Sequence, residues 1–254
     1  MSGIGRAAVI GLGEVGRRLA AALSAAGVEV RSVSRERGWA GLEEPTAGPV
    51  LVCVREEALG DLLPRVAAIA PARLVFVQNG WIRPLLATLP GVTRGLIWFT
   101  SKGEFFRELR PSLFGGPLAA PLTEALVRGG LAAAPTGDAD FRAAEAEKMG
   151  FNCVVGLPLA VRGLTLGDYL VRHADEAEAL FRESVNVCAR SLGVASDPGW
   201  WEDFRRAVEP LGWVTASAAK ALEYRSGAVA RLASELGVEV PVTARLLVAA
   251  GARV

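Results

Sequence analysis

The stretch Ala7-Ala8-Val9-Ile10-Gly11-Leu12-Gly13-Glu14-Val15-Gly16 decides the fold of this 254-residue chain. Its first four residues read as a short buried strand, and the next six fit GxGxxG directly after it. The alanine-rich run from Val15 to Ala26 is helical in character and stops at Gly27, a residue able to adopt positive φ. Val28 to Val33 reads as a second strand. In that order, Gly11 permits a tight turn and Gly13 lets the backbone approach a pyrophosphate. Gly16 allows close helix–strand packing, and the helix N-terminus supplies amide donors. Leu12, Glu14 and Val15 complete the candidate contact loop, so dinucleotide binding is the expectation.

Outward from that turn, strand-like runs keep alternating with helical ones. Pro49 to Val54, Leu74 to Val77 and Gly95 to Phe99 read as strands, with a leucine-patterned helix from Glu57 to Ile69. Alternation of this kind implies a parallel sheet with right-handed crossovers. After the turn signal Pro135-Thr136-Gly137-Asp138 the chain becomes alanine- and leucine-rich with helical periodicity. The expected architecture is α/β: a Rossmann dinucleotide-binding domain over residues 1–137 and an all-helical domain over 138–254.

The end of the second strand discriminates between cofactors. An NAD site usually places a carboxylate there for the ribose 2′-hydroxyl. This chain has Ser34-Arg35-Glu36-Arg37. The Arg35 guanidinium suits a 2′-phosphate and Ser34 adds a donor, which favours NADP (NADPH), whereas Glu36 turned inward would serve NAD.

Composition narrows the chemistry. Lys+Arg number 28 and Asp+Glu 27, a net charge of +1 without a basic run, which argues against a nucleic-acid binder. Only Lys102, Lys148 and Lys220 are lysines, and His173 is the single histidine, so a histidine pair or a metal site is not expected. Cys53, Cys153 and Cys188 lie far apart, with Cys53 in an apolar run where it reads as a buried small hydrophobe. No apolar stretch reaches membrane-spanning length, and none near the start resembles a signal peptide; a reduced, cytoplasmic protein is the expectation. An apolar helical face meets either its own core or a second copy, so a homodimer is compatible with the sequence.

Two polar groups stand where chemistry is expected. Phe76-Val77-Gln78-Asn79-Gly80 puts Asn79 just past a strand, at the carboxyl edge where open α/β sheets bind ligands, although taken by itself an Asn-Gly turn is the commoner explanation. Lys148-Met149-Gly150-Phe151-Asn152-Cys153 places Lys148 and Asn152 four residues apart on one helical face. Apolar neighbours there would desolvate the lysine, and burial favours its neutral form, which suits a proton donor near neutral pH. A solvated lysine on an amphipathic helix is the bland counterpart. His173 reads as a surface helix residue, and Trp200-Trp201 as packing.

The chain resembles the ketopantoate reductase family, NADPH-dependent 2-dehydropantoate 2-reductases. The resemblance runs through GLGEVG at 11–16, VCVRE at 52–56, VQNG at 77–80, EKMGFNCVVGLPLAVRG at 147–163 and GAVARLASELGVEVPV at 227–242. It implies a Rossmann domain joined to a helical one, with the active site in the cleft between them. It also implies that Lys148 protonates the nascent alkoxide, that Asn79 stands near cofactor and substrate, and that Asn152 contacts a small 2-oxo acid. Arg55 stands where the family often has a cofactor-binding lysine.

The sequence departs from the family at several places. Gly156 replaces a second helical asparagine. The family's serine, glutamate and Asn-Gly pair correspond to Ser217, Glu223 and Ser226-Gly227 only at shortened spacing. Counting back from Gly227 without a gap puts Ala221 at the glutamate's place, and Glu223 fills it if two residues are deleted. These departures also suit an alternative: a non-catalytic NADPH-binding redox sensor or interaction module on the same scaffold.

Overall fold

The computed structural model describes residues 3–34, 48–216 and 221–252, apart from the Lys102 side chain. The chain divides into two compact units, Met1–Gln78 with Ile82–Phe141 and Asn79–Trp81 with Arg142–Val254.

The first unit opens with β1 (Arg6–Ile10), α1 (Glu14–Ala25) and β2 (Glu29–Val33). It continues through β3 (Val50–Val52), α2 (Leu59–Val66), β4 (Leu74–Phe76), α3 (Arg83–Leu86) and β5 (Thr93–Leu96). A hairpin of β6 (Phe99–Lys102) and β7 (Phe105–Glu108) follows, then β8 (Ser112–Gly115), α4 (Ala119–Arg128) and β9 (Ala133–Pro135). Among the described residues these make a seven-stranded sheet in the order β2-β1-β3-β4-β5-β8-β9, with β6-β7 as a separate pair. The first five strands are parallel, whereas β8 runs antiparallel to β5, so the sheet is mixed rather than wholly parallel. The chain leaves β1 in one direction to β2 and in the other to β3. That reversal is where open α/β sheets bind ligands, outside the strands' carboxyl ends.

Alternation along the strands builds the core. Ala7 and Val9 of β1, Leu51 of β3 and Val75 of β4 join Leu19 and Leu23 of α1 and Leu122 and Leu126 of α4 in one cluster. In α1 the buried residues are Gly16, Leu19, Ala22 and Leu23, one stripe at helical spacing. Each fully buried leucine contributes about 1.5–3 kcal/mol relative to an exposed one.

The run expected as a strand at Gly95 to Phe99 is split in the structure. Leu96 ends β5 in the large sheet, and Phe99 begins β6 in the hairpin. Between them Trp98 is buried, its backbone N–H donating to Ser112 Oγ at 3.0 Å and its carbonyl accepting from Leu109 at 2.8 Å. Those tertiary bonds redirect the chain within a continuous apolar run. The helix expected from Glu57 to Ile69 is a 3-10 turn at Glu56–Ala58 followed by α2, which ends at Val66.

The second unit is helical. It contains most of α5 (Asp138–Val154), then α6 (Leu157–Arg162), α7 (Leu166–Arg172), α8 (Ala174–Leu192), α9 (Trp200–Val208), α10 (Ser226–Leu236) and α11 (Pro241–Ala249). The division between units falls inside α5, whose first turn belongs with the sheet. Helix α8 buries Leu180, Phe181, Val185 and Cys188. Gly150 of α5 lies so close to Phe181 and Val185 that a Cβ there would stand 2.9 and 2.7 Å from them. Trp201 is buried and stacks on Phe204 at 5.2 Å, which makes it core packing. Glu183 of α8 caps α11 by accepting from the Val242 and Thr243 backbone N–H groups, both at 2.9 Å.

His173 joins α7 to α8 and is half-buried against the Tyr169 ring, 5.7 Å between centroids, rather than standing on a helix surface. Nearby, Glu176 receives Arg162 at 2.7 Å and Arg245 at 2.9 Å. Burial alone would raise the Glu176 carboxyl, but hydrogen bonds and charge from Arg162 and Arg245 outweigh it and hold the group below its ordinary value. A depressed folded-state value makes this stabilisation complete above the ordinary carboxylate range and lost as pH falls through the folded value. Glu176→Gln is therefore expected to cost about 1–2 kcal/mol at neutral pH and to flatten the acid limb of the stability profile, read from urea melts between about pH 3 and 7. A variant whose melts parallel the wild type across that range would remove Glu176 from the acid response.

Candidate functional site

The glycine turn sits at the sheet's reversal point. Gly11 N–H donates to the Val33 carbonyl at 2.9 Å, and Cys53 N–H donates to the Ile10 carbonyl at 2.8 Å, so the ends of β2 and β3 flank the turn. Gly11 has φ +90°, and a Cβ on it would stand 3.0 Å from Val54 Cγ1. At Gly16 a Cβ would stand 1.9 Å from the Gly11 carbonyl oxygen, so only glycine lets α1 pack this closely on the turn. Gly13 differs from both. Among the described residues nothing lies within 4 Å of its Cβ position, and it begins α1 without a side-chain cap. The backbone N–H groups of Glu14, Val15 and Gly16 are in the first turn of α1, where a helix leaves its amides without intrahelical partners, and a helix N-terminus of this kind fits a diphosphate. Leu12 is exposed beside it, and Ser34, half-buried, directly follows β2. Arg35 lies outside the described residues.

At the carboxyl end of β3, Cys53 is half-buried rather than buried, and desolvation pushes its thiol up to about 12. It is a protonated filler under the turn. Arg55 is exposed and begins the 3-10 turn Glu56–Ala58. Gln78, whose role the sequence alone does not show, organises this edge. Its side-chain amide donates to the Val52 and Val54 carbonyls at 2.9 and 3.0 Å, tying the end of β3 beside Gly11. Its Oε1 is buried with no hydrogen-bond partner among the described residues.

The helical unit carries candidate groups of its own. Lys148 and Asn152 are both 5% exposed, one turn apart on α5, as their four-residue spacing requires. Lys148 Nζ lies over the Phe151 ring, 4.2 Å from its centroid. The Asn152 side-chain amide donates to the Asn79 backbone carbonyl, and Asn79 is the residue that follows Gln78 at the end of β4. The structure thereby brings together the QNG and lysine-helix segments, seventy-three residues apart in sequence. The Trp81 N–H bond to the Tyr224 carbonyl, 2.6 Å, adds the 3-10 turn Leu222–Tyr224 to the same segment.

Gly156 stands between α5 and α6. A Cβ there would meet the Asn152 carbonyl oxygen at 2.9 Å, and Arg225 Nη1 lies 3.9 Å from the same point. An arginine thus reaches the space where a side chain at 156 would project. Glu223 is exposed on its 3-10 turn, where its backbone carbonyl accepts from Arg231 at 2.7 Å. Ala221 is buried with φ +52°, and Ser217 and Lys220 lie outside the described residues. Burial raises the thiols of Cys153 and Cys188. Among the described residues no group of three or more His, Cys, Asp or Glu could hold a metal, and no helix is long and apolar enough to cross a membrane.

No protein-family model matches the chain, and no curated protein does. Solved structures do. A 2-dehydropantoate 2-reductase from Methylococcus capsulatus superposes with TM-score 0.76 at 19% identity, covering 95% of this chain and 94% of that one. A PanE/ApbA family ketopantoate reductase from Ralstonia eutropha JMP134 gives TM-score 0.73 at 22% identity, covering 95% of both chains. The fold is that of the ketopantoate reductases. It is shared beyond ketopantoate reductases: the complex of D-mandelate dehydrogenase with NADH gives TM-score 0.75 at 15% identity over 97% of both chains.

Proposed function

We propose that the chain is an NADPH-dependent oxidoreductase of the ketopantoate reductase family, reducing a small 2-oxo acid to its 2-hydroxy acid. The observation that carries this reading is the buried Lys148, one helical turn from Asn152, whose side-chain amide is bonded to the Asn79 backbone carbonyl. Similar solved structures of this fold include 2-dehydropantoate 2-reductases and a D-mandelate dehydrogenase described with NADH, which supports the reaction class and a nicotinamide cofactor.

The glycine turn would hold the diphosphate through the amides of Glu14, Val15 and Gly16. Ser34 and Arg35 would hold the adenosine end, and Arg55 would add charge nearby. When bound, the nicotinamide supplies a hydride to the carbonyl carbon. Lys148 Nζ donates the proton to the carbonyl oxygen as negative charge develops there, and the Lys148 ammonium stabilises that charge beforehand. Asn152 retains its carbonyl oxygen and a second amide hydrogen to orient the substrate, with Asn79 beside it. Glu223, exposed on its turn, is the weakest member of the set; Gly156 and the neighbouring Arg225 bear on which 2-oxo acid is preferred.

Following NADPH absorbance across a panel of 2-oxo acids tests the reading. Turnover is expected with at least one of them, and cofactor binding without turnover would favour the sensor alternative. The choice of NADP has its own test. Arg35→Ala is expected to raise the Kd for NADPH about tenfold or more and leave that for NADH nearly unchanged, because only the 2′-phosphate loses a charge-assisted pair. Equal losses for both would remove the 2′-phosphate role.

A further inference from the structure

An acidic residue at the first position of the dinucleotide-binding helix is an electrostatic liability. The Glu14 carboxylate stands at the N-terminus of α1, the same end that would receive a doubly charged diphosphate. Its partners in the structure answer that problem. Ser101 of β6 donates its hydroxyl to Glu14 Oε2 at 3.0 Å. Arg17, one turn along α1, donates to Glu14 Oε1 at 3.3 Å. The same Ser101 hydroxyl accepts from Arg18 Nε at 3.3 Å, and the Arg18 guanidinium lies over the Phe106 ring of β7 at 4.7 Å. Two arginines therefore flank one carboxylate, one directly and one through a hydroxyl, and the β6-β7 hairpin supplies both the hydroxyl and the ring that fix them.

We infer that Ser101 is a positioning residue for cofactor binding: it holds the Glu14 carboxylate between Arg17 and Arg18, off the phosphate-binding amides. This rests on the dinucleotide reading of the glycine turn. Glu14 then serves the diphosphate through its backbone N–H alone, and the turn presents net positive charge despite the acidic side chain. Without the hydroxyl, the carboxylate keeps only the exposed Arg17 pair and can rotate toward the phosphates. A merely structural Ser101 would instead tie the hairpin to α1, and its loss would not depend on the charge at position 14.

The test is a set of NADPH titrations on wild type, Ser101→Ala, Glu14→Gln and the double variant, with melting temperatures measured in parallel. Ser101→Ala is expected to raise Kd about fivefold at low salt, the scale of one like charge brought near a surface phosphate, with the gap closing by about 0.5 M salt. Glu14→Gln alone is expected to bind at least as tightly as wild type, and the double variant to return to within about twofold of it. Ser101→Ala binding like wild type would overturn the inference, as would a loss that Glu14→Gln does not rescue. A wild type that binds no dinucleotide would overturn the reading of the turn, and with it any role for Ser101 there.

Discussion

Replacing Lys148 by alanine is expected to lower turnover about a thousandfold, within the range for loss of a positioned general acid, while NADPH affinity stays within about twofold of wild type. The expectation follows from elimination as much as from position. A reductase must deliver a proton to the carbonyl oxygen, and the chain has few groups able to give one near neutral pH. His173, the single histidine, is stacked on Tyr169 between α7 and α8. The thiols of Cys53, Cys153 and Cys188 are all pushed upward by burial. Arginine holds its proton too tightly to exchange it, which disqualifies most of the chain's cations. Of the three lysines, Lys148 is the one that shares a motif with Asn152, one turn away, and it is buried beside Phe151. The same logic predicts that Lys148→Arg fails nearly as badly, because charge survives but transfer does not. Stopped-flow turnover, NADPH titration and a thermal melt on both variants separate lost chemistry from lost folding. Unchanged turnover in a folded Lys148→Ala would remove the lysine from the mechanism.

Gly16→Ala is expected to have the second largest effect, destabilising the protein by about 2–3 kcal/mol and reducing NADPH affinity by about two orders of magnitude. The added Cβ would lie 1.9 Å from the Gly11 carbonyl oxygen and 3.1 Å from the Cys53 Cβ. The near atom is backbone, so no side-chain rotation relieves the clash. Helix α1 must shift away from the turn, and its first-turn amides move with it. Gly13→Ala makes the informative contrast, since among the described residues nothing lies within 4 Å of that Cβ position. Its stability is expected to stay near wild type while affinity falls, because the methyl group occupies the space a diphosphate would enter. Denaturant melts and cofactor titrations on the pair check this. Equal affinity losses with equal destabilisation would mean that Gly13 is structural rather than ligand-facing.

The first half of the fold was legible because the glycine turn, its strands and α1 obey local rules that need no tertiary information. The carboxyl edge of β4 and the face shared by Lys148 and Asn152 could be read for the same reason, from strand ends and helical spacing. Other features were hidden for physical reasons. Strand β9 is Ala133–Pro135, without a β-branched residue, and exists because it pairs with β8. The break at Trp98 depends on Ser112, fourteen residues on. Gln78 and Ser101 acquire their roles from partners on other elements, Val54 and Glu14, which periodicity cannot reveal. The bond from Asn152 to Asn79 likewise depends on tertiary placement, although each residue stands out by itself in the sequence.

Transfer of deuterium from 4-deuterated NADPH tests the central claim most directly. The protein is incubated with the labelled cofactor and each 2-oxo acid of the panel, and any hydroxy acid product is read by mass spectrometry and proton NMR. Label at C2 of a 2-hydroxy acid, appearing with wild type and lost with Lys148→Ala, is the predicted result. Tight binding of the cofactor with no label reaching C2 of any acid would contradict the account.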